Sequence, residues 1–137
     1  MAQHEFGIMM DAPQAGKRFD KYEPWKYACI SVDDDNLEDV AERLTSIDFY
    51  WHTLSVKGKG LAYCGITLVP PRSLKAFIDV TADTSELCEL KKLLEKALDN
   101  NKWVIHYGLW QTDNFQIDKR IKYGFTSTVM VSFFKWN

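Results

Sequence analysis

The sequence predicts a single α+β domain: a mixed, mainly antiparallel sheet of about five strands, with helices on one face. Three observations lead to this. The elements run strand, helix, hairpin, helices, strand, strand, an order that suits a largely antiparallel sheet covered on one side. A length of 137 residues fits one ordinary domain, and 46% apolar with 26% charged residues supports a core without disulfides or a structural metal. No repeat, low-complexity tract or linker divides residues 1–137.

The elements follow in order. Residues 1–24 hold Gly7, Pro13, Gly16 and Pro24 among mixed polar residues, so they read as a largely irregular arm with a short extended piece at Phe6–Met10. Phe6, Ile8 and Phe19 would pack this segment down as a lid if it is not a free arm. The stretch "KYACISVD" alternates, with Tyr27, Cys29 and Ser31 on one face and Ala28, Ile30 and Val32 on the other. From Asp35 the apolar positions become Leu37, Val40, Ala41, Leu44 and Ile47, a core-facing helix over about 35–46. "FYWHTLSV" and "LAYCGITLV" flank Lys57-Gly58-Lys59-Gly60, a hairpin signal. Pro70-Pro71 ends the second of these strands and opens a short helix, about 72–80. A longer helix spans about 85–98, with Asp83 and Glu86 at capping-box spacing and Asn100-Asn101 as its stop. "KWVIHYGLW" and "TSTVMVSFFKW" read as strands, and Gln111 to Tyr123 is left open between them.

Composition excludes some functions. A net charge of -2 gives no basic field for a polyanion, so nucleic-acid binding is disfavoured. The small basic patch "DKRIKYG" beside Phe115 and Phe125 reads as a solvated edge rather than a stacking platform. Cys29, Cys64 and Cys88 form no zinc-type spacing and read as reduced thiols of a cytosolic protein. "MAQHEFGIMM" lacks the basic and apolar regions of a secretory signal, and no apolar run approaches a membrane span, so the expectation is cytoplasmic.

The candidate chemistry is sparse. Asp33, Asp34 and Asp35 stand where a strand becomes a helix. Carboxylates there can hold Mg²⁺, with Asp33 and Asp35 the candidate ligands, but the stronger reading is helix entry, Asp34 or Asp35 accepting a free backbone N–H. No cofactor is expected. His52 and His106 sit in strands among aromatics, and Cys64 has a glycine beside it. These are the candidate catalytic residues, each more simply read as a hydrogen-bonded or packed residue. "VKGKGL" does not have the pattern of a phosphate loop and reads as a turn tolerating positive φ.

The unusual feature is the aromatic load, 14% of residues, which places Trp51, Trp103, Tyr107 and Trp110 on strands with bulk on both faces. Either the monomer covers both faces or a partner closes one. Together "HEFGIM", "YEPWKY", "CISVDDD", "GITLVPPRSL" and "HYG" resemble small uncharacterised cytosolic bacterial proteins of the Firmicutes type, a group whose resemblance implies no activity and no site residue. The expectation is therefore a non-enzymatic interaction module, of adaptor or immunity type, binding a protein partner or a second copy through an aromatic, acidic-rimmed face. Asp33, Asp35, Trp51, Trp103, Tyr107 and Trp110 are its candidate contacts. The alternative is a small enzyme or small-molecule-binding domain whose pocket is lined by Asp33–Asp35, His52, His106 and Tyr107.

Overall fold

Alternation in "QHEFGIM" puts His4, Phe6 and Ile8 on one side of a strand and Glu5, Gly7 and Met9 on the other. The computed structural model, which describes residues 2–109, shows that strand as β1, Gln3–Met9. The other elements are β2 (Ile30–Asp33), α1 (Asp34–Leu44), β3 (Asp48–Trp51), β4 (Lys57–Lys59), β5 (Ile66–Val69), α2 (Pro71–Thr81), α3 (Cys88–Asp99) and β6 (Trp103–Tyr107). The six strands form one sheet in the order β2-β1-β6-β5-β3-β4, and every pairing is antiparallel. The expected α+β class holds, with six strands among the described residues where about five were expected in the chain. The expected C-terminal strand, the 111–123 stretch and Trp110 lie outside the described residues.

The helices cover one face. Leu37, Val40 and Leu44 of α1, Leu74 and Phe77 of α2, and Leu90 and Leu94 of α3 pack with Phe6, Phe49, Val69 and Val104 from the sheet. Their boundaries follow the expected chemistry. Pro71 stands at the first position of α2, where its missing N–H costs nothing, and Asn100 caps α3 before Asn101 turns left-handed at φ 55°. Asp83 and Glu86 form no capping box: one turn of 3-10 helix, Ser85–Leu87, intervenes with Thr84 as its cap and no side-chain cap bond.

Two expectations are corrected here. The 1–24 segment is not an arm beside the sheet, since β1 lies between β2 and β6 within it. After β1, an arm over residues 10–27 crosses the second face. Phe19, Tyr22 and Tyr27 pack there against Met9, Ile66, Leu68, Ile105 and Tyr107, and Tyr27 sits so close over β1 that a Cβ on Gly7 would stand 2.6 Å from the Tyr27 Cβ. The chain itself therefore covers both faces. The second correction concerns the hairpin. Lys57–Lys59 is not the turn but strand β4, at the sheet's edge among the described residues and paired with β3, and β5 pairs on β3's other side. The glycines still matter: Gly60 has φ +79°, and Gly58 leaves room for the Trp51 indole, whose N–H donates to the Gly60 carbonyl at 2.9 Å.

Candidate functional site

Antiparallel register aligns polar residues on the helix side of the sheet. Thr67 of β5 lies directly opposite His106 of β6, and Phe6 of β1 flanks His106 on the other side. His4, two residues before Phe6, shares its face, and β2 hands the chain to α1 beside it through the pair His4↔Val32. The result is one continuous chain of hydrogen bonds. Asp34 Oδ1 meets His4 Nε2 at 3.0 Å, His4 Nδ1 meets His106 Nε2 at 2.9 Å, and His106 Nδ1 meets Thr67 Oγ1 at 3.0 Å. Thr67 Oγ1 also accepts the Ala62 N–H at 2.8 Å. The Tyr63 hydroxyl donates to the same Asp34 oxygen and its ring meets His4 edge-on.

Burial is graded along this chain. His4, His106 and Thr67 are fully buried, whereas the Asp34 side chain is 20% exposed and Tyr63 and Cys64 are half-buried. The loop that carries Tyr63 and Cys64 is pinned to the end of β6. Gly108 N–H donates to the Gly65 carbonyl at 2.7 Å and Leu109 N–H to the Tyr63 carbonyl at 2.9 Å. A Cβ on Gly108 would collide with that Tyr63 carbonyl, so only glycine allows the approach.

Electrostatics follow from burial. Burial lowers the His4 pKa against the raising pull of Asp34, and it lowers His106 well below the ordinary value with further help from His4. Both rings are held neutral near pH 7. Burial, aided by the Asp34 charge, pushes the Cys64 thiol up to about 12. A nucleophilic cysteine needs the opposite shift, so Cys64 does not have the environment of one.

The aspartates behave differently from the expectation. None of them caps α1 through its side chain. Asp34 is the first helical residue, its N–H donates to the Ala2 carbonyl at 3.0 Å, and its carboxylate is committed to His4 and Tyr63. Asp33 is the cap residue and accepts the Gln3 amide at 3.0 Å. Asp35 is exposed. The carboxylates of Asp34, Asp35 and Glu38 have oxygens within 4.8 Å of one another, a spacing exposed acidic groups often show, and we assign no metal ligand there.

The expected pocket of Asp33–Asp35, His52, His106 and Tyr107 does not assemble, because adjacent strand residues face opposite ways. His106 points to the helix side while Tyr107 points to the arm side, 2% exposed beneath Tyr22 and Tyr27. His52 is not mid-strand: it follows β3 with φ 65°, and its Nδ1 reaches the Phe19 carbonyl at 2.8 Å and Asp20 at 3.3 Å, which ties the arm to the sheet. Of the surface candidates, Trp51 and Trp103 are half-buried, Trp103 against Tyr50 with ring centres 5.8 Å apart.

Two residues that matter were not singled out in the sequence. One is His4, whose parity with Phe6 and Ile8 was the available signal that it points inward. The other is Trp25, 71% exposed on the 3-10 turn Pro24–Tyr27, with Met10 72% exposed beyond the end of β1. Among the described residues no helix is long and apolar enough to cross a membrane. Compared with protein-family models, curated proteins and solved structures, the chain gives no match.

Proposed function

We propose that this chain is a protein-interaction module whose contact surface is the arm side of the sheet, centred on Trp25. The observation that carries this reading is the contrast within the arm. Phe19, Tyr22 and Tyr27 are packed onto the sheet, while the indole between them in sequence stands 71% exposed. Ordering a tryptophan on a fixed turn without burying it leaves a large apolar surface in water. Such rigid aromatics are the commonest anchors of protein interfaces. Tyr27 seated on Gly7 and the Tyr22 hydroxyl bonded to Glu5 hold the turn in place, so a partner would not have to order it. The next element, β2, is an edge strand among the described residues, with Ser31 exposed, and would offer backbone groups beside the indole. The flanking charges are mixed. Asp20 pairs with Arg18 and Glu23 with Lys26, which suits a partner of no strong net charge better than the expected acidic rim would.

A benzophenone-bearing residue placed at position 25 tests this in cells that make the protein, with the same residue replacing exposed Glu89 on α3 as control. Ultraviolet cross-linking is expected to give a discrete protein adduct, either a partner or a second copy, from position 25 alone. Equal or absent adducts at the two positions would remove the proposal. Trp25→Ala should leave the melting temperature within about 2 °C, since surface changes cost little.

A further inference from the structure

The buried chain from Asp34 to Thr67 has no part in the surface contact proposed above, yet it places two imidazoles in series inside the core. Hydrogen-bond arithmetic fixes its direction. An ionised carboxylate only accepts, so His4 must carry its proton on Nε2 and present a bare Nδ1 to His106. His106 then donates from Nε2 and presents its own bare Nδ1 to the Thr67 hydroxyl, which donates to it while accepting the Ala62 N–H. Every donor in the chain points towards Asp34, and Tyr63 adds one more from outside.

That arrangement leaves room for one added proton. If His4 becomes doubly protonated, its Nε2–H still faces the carboxylate, and its new Nδ1–H needs an acceptor on His106. His106 supplies it by handing its Nε2 proton to His4 Nδ1 and holding the added proton on its own Nδ1, where Thr67 Oγ1 can accept once the hydroxyl turns. No heavy atom moves, and the imidazolium sits 3.0 Å from the Asp34 oxygen that balances it. A second proton would place two cations 2.9 Å apart in the core with a single carboxylate, which the Coulomb term forbids.

We propose that Asp34, His4, His106 and Thr67 form a single-proton binding site, whose added charge is balanced at the Asp34–Tyr63 end where the chain meets solvent. Among the described residues, the titratable groups facing it are Asp34 from α1, with Asp35 and Glu38 beyond it at the surface, Tyr63 and Cys64 from the loop before β5, and the two histidines on β1 and β6. Phe6 closes the remaining side of His106, with ring centres 4.8 Å apart. The neutral state of both rings near pH 7 fits an empty site that fills on acidification.

Side-chain ¹⁵N NMR of the full chain, followed from pH 7.5 downwards, reads the site directly. Both rings are expected to change in one shared step, His4 to the doubly protonated form and His106 from the Nε2–H to the Nδ1–H tautomer. Two variants give opposite signs. Asp34→Asn removes the balancing charge and should move uptake at least about one pH unit lower. Tyr63→Phe removes a competing donor from the same oxygen and should move it higher. Should Asp34→Asn fail to fold, the wild-type titration and Tyr63→Phe still decide the matter. Independent titration of the two rings, uptake unmoved by the variants, or no uptake before global unfolding would each overturn the proposal.

Discussion

A thiol held near pKa 12 carries almost no thiolate at neutral pH, and burial puts both Cys29 and Cys64 in that condition. At pH 8 their alkylation by iodoacetamide is expected to run on the order of 10³-fold slower than that of free cysteine, while exposed Cys88 labels readily. Mass spectrometry of the labelled peptides measures this, and rapid labelling of Cys64 would restore it as a candidate nucleophile. The residue scale is also where the sequence was least legible. Cys64 beside Gly65 invited a reading as a substrate contact. In the fold the tight approach belongs to Gly108 under the Tyr63 carbonyl, a contact between residues far apart in sequence. His4 was equally hard to read, because nothing in "QHEFG" indicates that a histidine 102 positions away will meet it. Asp33 and Asp35 were the candidate ligands, yet Asp34 is the aspartate that meets a histidine, while Asp33 takes the Gln3 amide.

At the scale of elements, helices were the readable part. Their apolar spacing is local, and α1, α2 and α3 lie within a few residues of the expected 35–46, 72–80 and 85–98. Strands were harder where packing broke the alternation. β1 carries a buried histidine on one face and a glycine beneath a tyrosine on the other, so neither side reads as an apolar stripe. β4, three residues of Lys-Gly-Lys, looks like a turn, yet among the described residues it is an edge strand, with the lysines that discourage further pairing. The arm gives the test at this scale. Gly7→Ala would drive a Cβ against Tyr27 and to 2.8 Å from the Cys29 sulfur, which must shift the backbone. A loss of about 1–3 kcal/mol is expected by urea denaturation. Tryptic cleavage at Lys17, Arg18, Lys21 and Lys26 should quicken at the same time. If stability falls without faster cleavage, the arm is held chiefly by its tie at His52 and Phe19 rather than by Tyr27 on Gly7.

For the molecule as a whole, the buried titratable groups set a window of pH. All three histidines are buried, and burial holds each below its ordinary 6.5. The unfolded chain therefore binds protons that the folded chain refuses, so stability is present above pH 6.5 and falls as the pH drops below it. Each refused proton contributes a slope of about 1.4 kcal/mol per pH unit once the unfolded histidine is fully titrating. The slope should lessen where the His4–His106 pair takes up its single proton. The alkaline side mirrors this. Cys29, Cys64, Tyr22, Tyr27 and Tyr107 are all pushed above their ordinary 9.0 or 10.0, so the unfolded chain releases protons first and stability falls as pH rises above about 9. The expected melting curve against pH is a plateau between roughly 7 and 8.5 that declines on both sides. Circular dichroism melts from pH 4.5 to 10.5 measure it. His106→Gln should lower the plateau by leaving the His4 Nδ1 and the Thr67 hydroxyl without their partner, while flattening the acid limb. A wild-type melting temperature unchanged between pH 7 and 5 would mean that the imidazoles are not held neutral by the fold, and the directed chain from Thr67 to Asp34 would lose its basis.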